Sequence, residues 1–281
     1  MFSITKLTLP VIAATICLFT VVAPAETDMY KSLLERRAPV LVTVKFVLKT
    51  RMGGMMGGMG DQESESEITG VMIDPKGLVL CSDTQLGGFM RMLAKMMPMM
   101  GGNVTATPTD IKVLVGDDDE GREAELVARD SELDLAWIRI KDAGDAKFDY
   151  LDLTKGASVS VGQRVVAVRR MGKHFGRAAT VIEGRIAGTT KKPRDLYVPS
   201  IEFLMAQGLP IYTEGGKLVG LTITQAPDAE DSGGGFNPMA MLGQMSSMQE
   251  MMAGLILPAQ VAAKATKRAL ASAQEEEEEE E

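Results

Sequence analysis

The chain has 281 residues, 45% of them hydrophobic, enough to bury one large core or two modest ones without covalent staples. Its net charge is −8, and the terminal run Glu275–Glu281 supplies seven of those charges, which leaves no basic face for nucleic acid. One Trp and 5% aromatic content also exclude base-stacking platforms.

The first 25 residues have the layout of a secretory signal: Lys6, the apolar run "VIAATICLFTVV", then "APA" before Glu26. An apolar run of about 12 residues is too short to cross the roughly 30 Å bilayer core as a helix, so cleavage after Ala25 is expected rather than an uncleaved anchor. Cys17 falls inside this segment, and "ATI" before it matches a lipoprotein signal poorly. Only Cys81 then remains, so no internal disulfide is expected and the thiol reads as a small core residue. The expected setting is exported, periplasmic or secreted, with no membrane span after cleavage.

Behind the signal, "DMYKSLLERRA" (28–38) has the apolar spacing of a short helix. Beyond it the pattern turns to strands: 40–48, 68–73, 77–82, 111–116, 123–129 and 135–140, then 164–170, 179–188, 210–213, 217–224 and 254–258. Val, Ile and Leu at a period near two, punctuated by Gly, Pro and Asp, indicate an all-β domain. A break near "KDAGDAKFDYLDLTKG" (141–156) divides the strands into two groups of about six, a count that two packed barrels satisfy. The first barrel is expected over about 38–145 and the second over about 150–258. "AQVAAKATKRALA" (259–271) is an Ala-rich closing helix with its basic residues toward the C-terminal end. Residues 272–281 read as a disordered acidic tail, since adjacent glutamates repel and build no core.

Five stretches in order carry a resemblance: "TGVMIDPKGLVLCSDTQL", "GREAELVARDSELDLAWIRI", "VGQRVVAVRRMGKHFGRAATVIEGRIAG", "QGLPIYTEGGKLVGLTI" and "GLILPAQVAAKATKRAL". Together they resemble the protease domain of the HtrA family of trypsin-like serine proteases from about residue 38 to 271, within a domain read as 26–271. The resemblance implies a trypsin-like double β-barrel, and it leaves no segment for the peptide-binding PDZ domain that often follows in that family.

The family's chemistry needs a serine nucleophile, a histidine base and an aspartate that holds the imidazole. By resemblance, the histidine position is Thr84, or Asp83 or Gln85 if the register slides by one. The aspartate is kept as Asp134 in "DLA". The serine position is Gln207 in "MAQGLP", where Met205 and Leu209 replace two glycines that aim the oxyanion-hole amides in the family. An amide is no nucleophile, and Thr84 is no base near neutral pH. His174, the single histidine, falls in "GKHFG" with no serine in a nucleophile-elbow context beside it, so it reads as a loop residue. The resemblance therefore implies a catalytically degenerate protease, without a cofactor, that binds polypeptide partners or itself.

Methionine is what the chain has gained. Sixteen of its 21 Met residues lie in "RMGGMMGGMG" (51–60), "FMRMLAKMMPMMGG" (89–102) and "FNPMAMLGQMSSMQEMMAG" (236–254), a concentration that calls for its own reading. Three stand open: an adaptable apolar surface for a partner chain, soft thioether ligands for Cu(I) such as Met55, Met56, Met96 and Met97, and low-complexity drift in tolerant loops.

Overall fold

The computed structural model describes residues 23–52, 62–91, 104–200, 203, 207–225 and 254–280. A helix, α1 (Ala23–Arg37), leads into six strands: β1 (Leu41–Met52), β2 (Gln62–Asp74), β3 (Leu78–Cys81), β4 (Val104–Val115), β5 (Arg122–Asp130) and β6 (Leu135–Ile140). Six more follow: β7 (Arg164–Arg170), β8 (Ala179–Thr190), β9 (Leu196–Pro199), β10 (Pro210–Thr213), β11 (Leu218–Thr224) and β12 (Gly254–Pro258). A second helix, α2 (Ala259–Glu280), closes the order. The strands form two closed antiparallel barrels, β1-β2-β3-β6-β5-β4 and β10-β11-β12-β9-β8-β7, which is a trypsin-like double barrel.

Alternation along the strands explains the closure. Val42, Val44 and Phe46 of β1 point into the first barrel against Val79, Cys81, Leu86 and Ile138. Val165, Ala167, Ile186, Ile211, Val219 and Ile256 fill the second. The opposite faces build the largest cluster, in which Leu41, Val71, Leu80 and Trp137 meet Val166, Val168, Tyr212, Leu221 and the α2 face of Ala259, Ala262 and Ala265. Trp137 is fully buried, and its indole N–H donates to Thr266 Oγ1 of α2 at 3.0 Å, so the helix is keyed to the first barrel by one polar contact inside an apolar seam.

Several expectations need correction. β9 has no counterpart in the strands read from sequence: its four residues carry too little alternation, and pairing with β8 and β12 specifies it. β2 begins six residues earlier than expected because the polar "QESESE" run pairs with β1 from Gln62 onward. α1 begins at Ala23, ahead of the expected 28 and across the expected cleavage point. α2 continues over 272–280, the stretch read as a disordered tail, as a continuation of a helix nucleated by its packed first half.

β1, β2 and β4 run on beyond the barrel as a three-stranded ribbon, in which Thr50 pairs with Gln62 and Met52 with Val104, so Met52, Gln62 and Val104 stand at one ribbon end. In the second barrel Thr224 pairs with Gly254. Met55, Met56, Met96 and Met97 lie outside the described residues.

Gly220 sits at a close strand approach: a Cβ there would stand 2.0 Å from the Leu257 carbonyl oxygen and 2.8 Å from its carbon, so backbone rather than a side-chain end would have to yield. Gly220→Ala is expected to part β11 from β12 and to lower unfolding free energy by about 1–3 kcal/mol or more, read as a fall in the urea midpoint.

Candidate functional site

Between the barrels sits one carboxylate. Asp134 follows β5 in a left-handed conformation (φ +55°), a strained position for a non-glycine residue, and is 2% exposed. Its Oδ1 accepts the Thr84 backbone N–H at 2.7 Å, and its Oδ2 accepts the Thr224 backbone N–H at 2.7 Å. The Ser82 hydroxyl lies 2.9 and 3.0 Å from the two oxygens. Ser82 and Thr84 stand at the exit of β3 in the first barrel, whereas Thr224 ends β11 in the second. Burial pushes the Asp134 carboxyl above its ordinary value, while the Thr84, Thr224 and Ser82 donors pull the other way.

The three positions implied by the family's triad can now be placed. Thr84 opens a wide helical turn, Thr84–Gly88, and it is its backbone N–H that lies on Asp134. Of the two neighbours that a one-residue slide would substitute, Asp83 turns its carboxylate elsewhere and Gln85 donates its backbone N–H to Ser82 Oγ at 3.3 Å. Gln207 is half-buried in the turn before β10. Gly208 beside it takes the left-handed φ of +73°, and a Cβ on it would stand 3.4 Å from Ser82 N and 3.7 Å from Thr69 O. Thr222 Oγ1 fastens the same turn, accepting from Leu209 N at 2.9 Å and donating to Leu209 O at 3.2 Å. Thr84, Asp134 and the Gln207–Gly208 turn thus converge on Ser82. His174 stays outside this group, on an exposed turn (Lys173–Phe175) edge-to-face with Phe175 at 5.1 Å.

Sequence reasoning missed the partners that hold Asp83, which it considers only for the histidine position. Asp83, 2% exposed, accepts from Arg91 Nη2 at 2.7 Å, Arg129 Nη1 at 3.0 Å and Ser131 Oγ at 2.8 Å. Gly88 closes over it so tightly that a Cβ would lie 2.5 Å from Asp83 O. Burial, then the Arg91 charge, lowers the Arg129 guanidinium from its usual value. Arg91 lies outside the stretches that carry the family resemblance and Arg129 lies in the one that holds Asp134, but nothing in their spacing marks either as a partner of Asp83. Cys81 is a core residue as expected: buried, 3.7 Å from the Ala136 carbonyl oxygen, its thiol pushed up by burial and by the charges of Asp83 and Asp134.

Asp134 accepts hydroxyl and amide hydrogens, and Gln207 brings a carboxamide to the turn before β10. Among the described residues, Gln85 Oε1 and Thr224 Oγ1 are buried without a hydrogen-bond partner.

Comparison with known proteins agrees with the barrels. The family model described as "Trypsin-like peptidase domain" matches residues 68–221. A solved structure, "HtrA-type protease AlgWS227A with tripeptide", aligns at 17% identity and a TM-score of 0.48, over 86% of this chain and 63% of that one. The chain therefore spans less than two thirds of the length of that structure's chain. No curated protein matches the sequence.

Ser82→Ala removes a donor from Asp134 and the acceptor of the Gln85 N–H, and is expected to cost about 1–3 kcal/mol in urea unfolding. The sign of its pH dependence follows from Asp134. A carboxyl whose folded pKa exceeds its unfolded value, about 3.9, stabilises most below that value and loses this contribution as pH rises through the folded one. Ser82 favours the ionised form. The deficit of Ser82→Ala is therefore expected to widen as pH rises from about 4 toward neutrality, and a constant deficit would contradict it.

Proposed function

This chain belongs to the family of trypsin-like peptidase domains, and from that premise we propose that it is an exported pseudoprotease that binds polypeptide partners. The observation that carries the reading is the pair Thr84 and Gln207 around an Asp134 whose oxygens already accept two backbone amides and the Ser82 hydroxyl. The chain holds one histidine, and it sits on the exposed 173–175 turn, so no imidazole is available to take a proton from a hydroxyl. Ser82, the serine beside Asp134, donates to a carboxylate and has no base of its own.

Binding needs none of this chemistry. A bound chain adds main-chain hydrogen bonds at a sheet edge and side chains in pockets, and in this reading the partly exposed Thr84 and Gln207 face it. The Met-rich segments supply adaptable apolar contact in the same reading. In this reading residues 1–25 are an export leader, the setting is the periplasm or the cell exterior, and 26–271 is the functional domain. The alternatives are a working serine-type endopeptidase and a periplasmic Cu(I)-binding protein. The copper reading draws support from the Met-x-x-Met and Met-Met spacings of the sequence, whose thioethers are soft ligands.

The mature protein is expected to leave an unfolded protein uncleaved and to take no label from a serine-directed fluorophosphonate. Gln207→Ser alone is expected to stay inactive, because no base faces it. A fluorescent unfolded polypeptide is expected to bind, and Gln207→Arg, which fills the cleft, to weaken that binding. Stoichiometric serine labelling would establish the endopeptidase instead. Sub-micromolar Cu(I) binding lost on Met→Leu change at Met55, Met56, Met96 and Met97 would establish the copper reading.

A further inference from the structure

Three large hydrophobic side chains are well exposed among the described residues: Tyr150, Val161 and Phe175, the last at 60%. Phe175 differs from the others in how it is held. It tips the 171–178 loop between β7 and β8, whose backbone bonds close on themselves: Phe175 N donates to Gly172 O at 2.9 Å, Gly176 N to Lys173 O at 2.9 Å and Met171 N to Ala178 O at 2.9 Å. The next side chain but one, Arg177, inserts between the barrels at 6% exposure, bonded to Asp119 at 2.7 Å and Glu67 at 3.3 Å. Arg170 bonds the loop from beneath, donating to Arg177 O at 3.3 Å and Leu41 O at 3.2 Å. The phenyl ring is thus exposed on a loop ordered by contacts with both barrels, so a partner meets it with the ordering cost already met in the free protein.

The neighbouring surface specifies the chemistry of that partner. Arg177 ties the loop to the turn "GDDDEG" (116–121) through Asp119, whose carboxyl Arg177 and the nearby charge of Lys173 hold below the usual range, while Asp118 only accepts the Glu120 backbone N–H at 3.0 Å. Asp117, Asp118 and Glu120 are exposed and have no ion pair among the described residues. An apolar anchor beside three surplus carboxylates favours a segment with an apolar pocket and cationic flanks, and repels an acidic one.

We propose that Phe175 and the 117–120 turn form a second docking surface, separate from the residues bonded to Asp134, for a basic stretch of polypeptide. It goes beyond the cleft reading and uses none of its residues. Phe175 is the anchor, and Asp117, Asp118 and Glu120 select for positive charge.

The test uses the full mature chain and two fluorescent unfolded probes, reduced and carboxamidomethylated lysozyme (basic) and α-lactalbumin (acidic), in anisotropy titrations at two salt concentrations. The lysozyme chain is expected to bind at least about tenfold more tightly, and Phe175→Ala to lose about tenfold of that affinity. The triple change Asp117→Asn, Asp118→Asn, Glu120→Gln is expected to weaken binding and flatten its salt dependence. Binding of neither probe, equal binding of both, or unchanged affinity in Phe175→Ala overturns the proposal. So does a lowered thermal midpoint in Phe175→Ala, since the ring would then hold the loop and not a partner. Loss with Gln207→Arg but not with Phe175→Ala overturns this surface and leaves the cleft standing; loss with Phe175→Ala alone supports this surface and leaves the cleft without its ligand.

Discussion

The two barrels meet over one buried carboxylate, and much of the site's geometry depends on it. Asp134 accepts amide hydrogens from Thr84 of the first barrel and Thr224 of the second, with Ser82 between its oxygens. An anion so deeply buried is tolerated only when its lone pairs are filled, so each donor is constrained to its place. That requirement fixes the exit of β3, the end of β11 and, through Ser82, the approach of Gly208. Its two oxygens thereby hold backbone of both barrels in place.

The same logic recurs around it. Asp83 is surrounded by Arg91, Arg129 and Ser131, which pins the turn after β3 and leaves its carboxylate no proton-accepting role in the cleft. Arg177 reaches from the second barrel to Glu67 and Asp119 of the first, and Arg170 to the carbonyl of Leu41. Charged side chains that bridge separate segments are costly to bury singly and stable when paired, so these contacts specify one relative placement of the barrels. A rigid frame of this kind suits presentation of surfaces better than proton transfer, which needs a group free to change its charge.

The fold and the site rest on different residues. The core is built from alternating apolar strands, Trp137 and the small-residue face of α2. Thr84 and Gln207 belong to none of these clusters, so the barrel packing does not depend on what side chain stands at either position.

The sequence alone determined the all-β class, the break between two strand groups, and the strands at 135–140, 164–170, 210–213 and 254–258, because period-two burial writes itself directly into Val, Ile and Leu spacing. Tertiary structure decided the rest. β9 is a strand because β8 and β12 supply its partners, and four residues hold too little pattern to announce that. Ser82, Arg91 and Arg129 looked like ordinary polar residues, and Asp83 only like a neighbour of the histidine position, until β3, β5 and the turn after β3 brought them within 3 Å of their partners. Local spacing carries no record of these contacts, most of which join residues tens of positions apart. The exposure of Phe175 was hidden for the same reason: its loop is held by Arg177, whose partners Glu67 and Asp119 belong to the other barrel.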